Sequence, residues 1–379
     1  MSLGTGTPRR WIRPAGRLAV ALLPPALVFG GVRWLFDLAA SRAGFDAAYA
    51  GTWRRWDSGH YLDIASKGWE LFSCAYLGGR PQDACGNSAW FPLYPWLLRP
   101  LIAMGVGRET AGVWVSGVAT LTMLVVLWNG LLRERRVRGL ALLAMAGVFP
   151  GAVYAHAIFP TGLAQLCMIC AGVALVRRRW ALAGLAGGFL SMTYVTGVLL
   201  SAPTAISAWV RSRSWRPPLV AGALSVAGFG AVLLAQQLLL GHWNAWVLTY
   251  EKGLPGVAHP LGAFGAVVAP VLSRDLPRKT IALQALTVVG VLILGAVATT
   301  VARAWKDPTR VWAATAALLF WAFPLFAGRG VSLYRADALV LPALLLLVDL
   351  PVWVLFPLLV WFAVVAEAMG ELFFRAYLV

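Results

Sequence analysis

Acidic residues are scarce: fifteen in a chain of 379, against thirty-two lysines and arginines. Charged residues of both signs together make up 12%, about half the share of an ordinary soluble domain. So little charge cannot clothe a water-facing surface of this size. Histidine and cysteine number four each. No H-E-x-x-H occurs, and no second ligand pair follows the one C-x-x-C (Cys167, Cys170), so no metal site is expected. A Walker loop is missing, as is a G-x-G-x-x-G after a strand, which excludes most nucleotide-using chemistry.

Apolar sequence is abundant instead. Hydrophobic residues reach 60% and the mean hydropathy is +0.74. A helix crosses the bilayer core with roughly 20 apolar residues, which makes 18–40, 110–132, 139–157, 218–240, 280–302, 311–327 and 352–369 candidate spans. With 161–176, the segment after "LYRAD" and a broken pair at 181–209, an all-α polytopic membrane protein of about 10–12 membrane segments is expected, as a single domain over 1–379. The first span follows "RRWIRPAGR" and has no small-residue cleavage site after it, so it reads as a retained helix.

The formal charge of +17 is a topology signal, not a nucleic-acid footprint. Seventeen of the thirty-two basic residues fall in five clusters: 9–17, 133–138, 177–179, 211–216 and 303–310. Short loops rich in Lys and Arg stay cytoplasmic, and they attract anionic lipid headgroups. The N-terminus is then cytoplasmic and 41–109 forms a long extracytoplasmic loop. "HAIFP", a second large loop at 241–279, "GRGVSLYRAD" and the C-terminus lie on the same outer side. Residues 181–209 begin and end at arginine clusters and contain Gly184, Gly187, Gly188 and Gly197, which fits two half-helices turning back within the membrane. Ten of the fifteen acids fall in the outer segments.

The ionisable residues concentrate in "WRRWDSGHYLDIASKGW" (53–69). Tyr61, Ile64 and Ala65 recur at helical spacing, Lys67 occupies a last turn and Gly68 a helix-ending position, so a short amphipathic helix on the membrane surface is expected. Asp57 and Ser58 stand at its start, where an aspartate can simply cap the helix for about 1 kcal/mol. Cys74 and Cys85 follow, and in an oxidising compartment a disulfide between them would contribute about 2–3 kcal/mol. Next comes "AWFPLYPWL" (89–97), where Pro92 and Pro95 rule out an ordinary span. Two interfacial segments around a cysteine-closed loop make a cover over the outer membrane face.

"RWDSGHYLDIASKGW" followed by "WFPLYPWLLRPL" resembles the PIG-V-type mannosyltransferases, which carry W-D-x-x-H-[YF]-x-x-I-A-x-x-G-[YW] and then F-F-P-L-[YF]-P. The resemblance runs on through "FPGAVYAHAIFPTGLAQL" and "RRRWALAGLAGGFLSMTYVTGVLL", over roughly residues 30–210, and is weaker around "LGHWNAWVLTYEKG" and "SLYRADALVLPALLLL". It implies a GT-C glycosyltransferase fold in a plasma membrane, bacterial by its relatives, with an extracytoplasmic active site. The implied donor is a polyprenyl-phosphate-linked sugar, usually mannose, and the acceptor a hydroxyl on a glycolipid or an exported molecule. No further cofactor is required.

Displacing a polyprenyl phosphate from C1 of a sugar needs a base for the attacking hydroxyl and cations for the leaving phosphate. By its place in the matching motif, Asp57 is the expected base, with His60 orienting it or touching the donor phosphate. Asp63 is the rival carboxylate. Arg335 and then Lys252 are the expected phosphate contacts, with Arg54 and His156 as further candidates, each weighed against a headgroup-contact reading. Trp56, Tyr61 and Tyr194 complete the expected substrate contacts, since an indole face can stack on a pyranose. Arg335 at bilayer depth needs a partner, for which nearby Asp337 is expected, and Arg33–Asp37 reads as a structural helix pair.

Two departures from the family pattern stand out. "FPTGLAQ" lacks the acid that relatives often carry after the proline, and "TYVTG" has Tyr194 where relatives often have arginine. Acceptor and sugar are therefore open, and another polyprenyl-linked sugar fits equally well. A lipid or sugar transporter, or a non-catalytic membrane subunit, are the rival classes. The absence of an internal repeat and the placement of the ionisable cluster in an outer loop count against a transporter.

Overall fold

The computed structural model describes residues 14–80, 83–250, 259–327 and 332–378. The protein is a polytopic α-helical membrane protein: among the described residues six helices are long and apolar enough to cross a bilayer. One continuous apolar core runs from Val32 to Leu378, and two three-residue strands are the only departure from an all-α chain among these residues.

Helix α1 (Pro14–Arg42) contains the expected first span. The long loop after it folds into α2 (Ser58–Lys67), a hairpin of β1 (Leu71–Ser73) and β2 (Ala84–Gly86), and α3 (Leu93–Ala103). The short helix read from 53–69 is present, closed by Gly68 at φ +93. Arg99, on α3, donates to the Ile64 carbonyl (3.1 Å), which also accepts from Gly68 N–H (3.0 Å), and so ties α3 to the end of α2. The hairpin is antiparallel with Phe72 opposite Cys85, and Cys74 and Cys85 are joined, their Cα atoms 5.0 Å apart.

Helix α4 (Arg108–Leu127) continues through a π turn at Trp128–Leu132 and a 3₁₀ turn at Arg133–Arg135 into α5 (Arg136–Gly147). The expected single span 139–157 is not formed. Helix α5 stops at Gly147, and only the five-residue α6 (Ala152–His156) follows. The intervening "VFPG" explains the break: Pro150 lacks an amide proton, and Gly151 sits at φ +80. A side chain at Gly151 would meet the Tyr334 carbonyl at 3.0 Å, so the bend is where the chain tucks under the "LYRAD" segment.

Helix α7 (Thr161–Val176) is followed by the broken pair: α8 (Trp180–Thr193), an extended residue at Tyr194, a 3₁₀ turn at Val195–Leu200, and α9 (Ser201–Ser212). Gly184 and Gly188 form a small-residue stripe on α8 that lets α10 (Arg216–Leu240) approach closely. A Cβ at Gly228 of α10 would lie 2.0 Å from the Gly188 carbonyl.

The second large loop holds α11 (Ala245–Tyr250) and α12 (Pro260–Val268). Helices α13 (Leu276–Val301) and α14 (Pro308–Ala327) lead to the short α15 (Leu333–Ala336). A buried 3₁₀ stretch, Asp337–Leu347, then precedes α16 (Val352–Phe374), which starts after Pro351.

Ion pairs mark one end of the bundle and hydrogen bonds the other. At one end Arg310 pairs with Asp349 (2.5 Å) and donates to the Leu346 carbonyl (3.2 Å), while Arg135 reaches the same aspartate at 3.7 Å. Two of the arginine clusters therefore share that end. At the other, Ile158 N–H donates to the Trp53 carbonyl (3.2 Å), and Arg55 donates to the carbonyls of Phe373 (3.3 Å) and Phe374 (2.9 Å). The first loop thus rests on the "HAIFP" turn and on the end of α16.

Candidate active site

Asp57 occupies the residue before α2, yet its side chain makes no capping bond there. The simple cap reading is not what the structure holds. Trp56 turns the chain through φ +37, a conformation that costs a non-glycine residue of order 1–3 kcal/mol. Its neighbours hold it there: Arg55 N–H donates to Ser58 Oγ (3.1 Å), the Arg55 guanidinium is fixed on the end of α16, and the Trp56 ring packs edge-on against Phe373 at 6.0 Å. The carboxylate is thereby directed sideways, where Arg335 Nη1 donates to Asp57 Oδ2.

This pair sits in the wall of a cavity of about 310 Å³ at the first-loop end of the bundle. Tyr61, one helical turn after Asp57, lines it, as do Trp90 and Phe91 of the "WFP" segment. Tyr194 and Val195, at the tip of the broken pair, form another wall, and Thr249 of α11 and Ser332 close it. Four expected site residues, Asp57, Tyr61, Tyr194 and Arg335, are brought together from three separate stretches of chain. The volume lies at the lower end of the roughly 300–1,000 Å³ typical of small-molecule sites.

Burial lowers the pKa of the Arg335 guanidinium, but Asp57 together with Tyr194, Tyr61 and Tyr154 more than offsets this and leaves it above the ordinary arginine value. Arg335 also lies 5.5 Å over the Phe159 ring. Its one hydrogen bond to a described residue uses Nη1, which leaves further donors of the guanidinium fork for a second anion. Asp57 engages Arg335 through Oδ2, and among the described residues no hydrogen bond is made to its other oxygen.

Other expectations are corrected. Asp337 is not the partner of Arg335; it is buried, and Gln284 Nε2 donates to it at 2.9 Å. His60 does not orient Asp57: its ring stacks on Trp90, centroids 3.6 Å apart and planes 18° from parallel. Burial lowers the His60 pKa, a shift that Asp57 and Asp63 partly oppose, so the ring is neutral near pH 7. The rival Asp63 is turned to Arg108 (3.4 Å). Arg54 is exposed and paired with Glu109 (3.3 Å), outside the cavity. His156 is a core residue, 1% exposed, with Phe29 and Phe36 rings at 5.2 and 5.4 Å. Trp56 supports the turn and does not line the cavity. Lys252 lies outside the described residues.

Sequence reasoning gave no site role to Phe91, Thr249, Trp90 or Arg55. The two large loops are joined through Ser88, whose hydroxyl donates to the Ala245 carbonyl (2.9 Å) and lies 2.5 Å from Thr249 Oγ1, while Gln236 donates to the Ser88 carbonyl (2.8 Å). No spacing signal exposes such a joint. The segments that carry the two departures from the family pattern touch: Thr161, next to the place of the missing acid, has its Oγ1 3.0 Å from the Tyr194 hydroxyl. A second cleft, about 370 Å³ between α1 and α4, holds Arg33 and Glu109. Its charges are already matched by Asp37 (3.5 Å) and Arg54. Among the described residues no group of three or more His, Cys, Asp or Glu gathers for a metal ion.

No protein-family model matches the chain, and no curated protein matches it either. The likeness to the PIG-V-type enzymes therefore rests on the motifs quoted above, whose Asp57 and Tyr61 line this cavity.

Proposed function

We propose that this protein is a membrane glycosyltransferase of GT-C type. It moves a mannosyl unit from a polyprenyl-phosphate donor to a hydroxyl of a lipid-linked or exported acceptor, on the extracytoplasmic face. The observation that carries the reading is the meeting of Asp57 and Arg335 in the wall of one small cavity. A carboxylate withheld from its helix cap and set beside a cation has the makings of a base next to a phosphate site.

In this mechanism the acceptor hydroxyl gives its proton to Asp57 as its oxygen bonds to C1 of the sugar. The C1–O bond to phosphate breaks, and the electron pair leaves on the polyprenyl phosphate, held by Arg335. Phosphate leaves well without a general acid, so one carboxylate suffices; a positioned base contributes about 10²–10⁴-fold. When the donor phosphate arrives, it competes for Arg335 and frees Asp57 for the hydroxyl. Two arginine clusters at the opposite end support taking this end as the outward one. An activated sugar on that side, away from nucleotides, must be carried on a lipid.

Purified protein, radiolabelled polyprenyl-phosphomannose and a membrane lipid extract test the reading. A new mannolipid formed by the wild type and lost in Asp57→Asn supports it. Equal product from the two proteins refutes the assigned base, and no product with any polyprenyl-linked sugar refutes the activity. The same assay run with donors carrying other sugars fixes the sugar, and the labelled product identifies the acceptor.

A further inference from the structure

We propose that Trp90 is the platform on which the transferred sugar lies, and that His60 is a positioning residue for its indole ring. This rests on the glycosyltransferase reading of the cavity and names a contact within it. A pyranose has an apolar C–H face and a rim of hydroxyls, so a site for it needs a flat apolar surface beside polar groups. The polar end here is the Asp57–Arg335 pair. The flat surface must come from the aromatic rings in the cavity wall.

Most of those rings are already committed. Phe91 is 1% exposed and packs against Phe229 and Trp246. Tyr61 is 3% exposed and packs edge-on against Tyr94 and Phe159. Tyr194 is tied through its hydroxyl to Thr161. Trp90 is half-buried and lines the cavity, and the near-parallel imidazole of His60 covers one of its two faces. Among the described residues its indole N–H has no hydrogen-bond partner, which leaves a donor for a ring hydroxyl.

The platform is also held still. Trp69 Nε1–H donates to the Trp90 carbonyl (3.0 Å), and Trp90 N–H donates to the Asn87 carbonyl (3.1 Å). Asn87 in turn accepts from Glu70 N–H (2.8 Å) and donates to the Gly68 carbonyl (3.3 Å). Trp90 is therefore tethered to the end of the helix whose start presents Asp57 and whose first turn carries His60. Base, backing ring and platform are referenced to one rigid element, which fixes the sugar relative to the carboxylate.

The test measures transfer kinetics and, separately, equilibrium retention of radiolabelled polyprenyl-phosphomannose in the Asp57→Asn background, with protein in nanodiscs. Trp90→Ala is expected to raise the donor KM about tenfold or more, to change kcat less, and to weaken donor retention by a similar factor; Trp90→Phe keeps most of both. His60→Ala is expected to follow Trp90→Ala, and His60→Phe, which restores a flat ring behind the indole, to recover most of the lost affinity. A His60→Phe that loses kcat as severely as Asp57→Asn overturns the positioning role and makes His60 a proton-transfer group. Unchanged KM and retention in Trp90→Ala, with Asp57→Asn inactive, overturn this inference alone. A wild type that neither retains nor turns over the donor overturns the glycosyltransferase reading and this inference together.

Discussion

Asp57 gives its carboxylate to Arg335, 278 residues further along the chain, and not to the amides of the helix it begins. Such a pair has a purely structural rival explanation, a clamp between the first loop and α15. Charge reversal separates the two. Asp57→Arg or Arg335→Asp alone leaves like charges facing each other and lowers both folded yield and activity. The double exchange restores attraction and is expected to recover folded yield in size-exclusion profiles. Transfer activity stays at least a hundredfold below wild type, on the scale of a lost positioned base. Recovery of transfer by the double exchange would leave the pair as a clamp only.

The wall that carries Ala89 and Trp90 follows shortly after β2, and the Cys74–Cys85 bond closes the hairpin behind it. The paired Cys74→Ser and Cys85→Ser variant is expected to lose about 2–3 kcal/mol on the chain-entropy estimate for an eleven-residue separation. Reductant should lower the apparent melting temperature of the wild type to that of the variant and leave the variant unmoved. A wild type indifferent to reductant contradicts the pairing, and intact-mass shifts after alkylation check it directly.

Tyr194 reaches the cavity only because α8 lies hard against α10. Gly228→Ala places a Cβ 2.0 Å from the Gly188 carbonyl, a backbone atom that cannot step aside. Overpacking of this kind costs about 1–3 kcal/mol or more, and it displaces the tip of the broken pair. Gly230→Ala on the same helix meets nothing within 4 Å and serves as the matched control. Reduced melting temperature and transfer in the first variant, with neither in the second, is the expected outcome.

Most spans were legible because lipid tolerates only long apolar runs, the exception being 139–157, which breaks at Pro150–Gly151; the broken pair was legible because glycines and flanking arginines mark its bends. The short helix after Asp57 was legible from its period and its closing Gly68. The site was legible only in part. Arg335 was assigned to Asp337 by closeness in sequence, but in the tight 3₁₀ stretch that begins there Asp337 turns inward to Gln284. His156 was placed in an outer turn by its neighbours in sequence, whereas the break at Pro150–Gly151 folds it into the core against Phe29 and Phe36. Helical spacing put His60 near Asp57 and could not show the indole that its ring stacks on. Pairings across hundreds of residues leave no local pattern.

Arg310 is 4% exposed and is held by Asp349, the Leu346 carbonyl and Thr299, whereas Arg42 meets Glu367 at the same 2.5 Å distance with most of its side chain in the open. Equal distances here carry unequal energies. Truncating one partner of a buried pair costs about 3–5 kcal/mol, while an exposed pair is worth about 0–1 kcal/mol. Arg310→Ala is expected to lose most folded protein, and Arg42→Ala to melt within a few degrees of wild type. Similar losses in both would mean that the 3₁₀ stretch is not pinned at Arg310.

His60 gives the site an acid sensitivity whose sign is fixed. Burial lowers its pKa in the folded protein, with Asp57 and Asp63 partly offsetting that, relative to about 6.5 in the unfolded chain. Below that value the unfolded state binds the proton first, so the stability His60 contributes is complete above about pH 6.5 and falls as the pH drops through it. Moving wild type from about pH 7.5 to about pH 5 should therefore lower its apparent melting temperature more than it lowers that of His60→Phe, which has no proton to gain. Equal acid sensitivity in the two proteins would assign the loss to other groups. A smaller loss in the wild type would reverse the sign, and would mean that Asp57 and Asp63 outweigh burial at this ring.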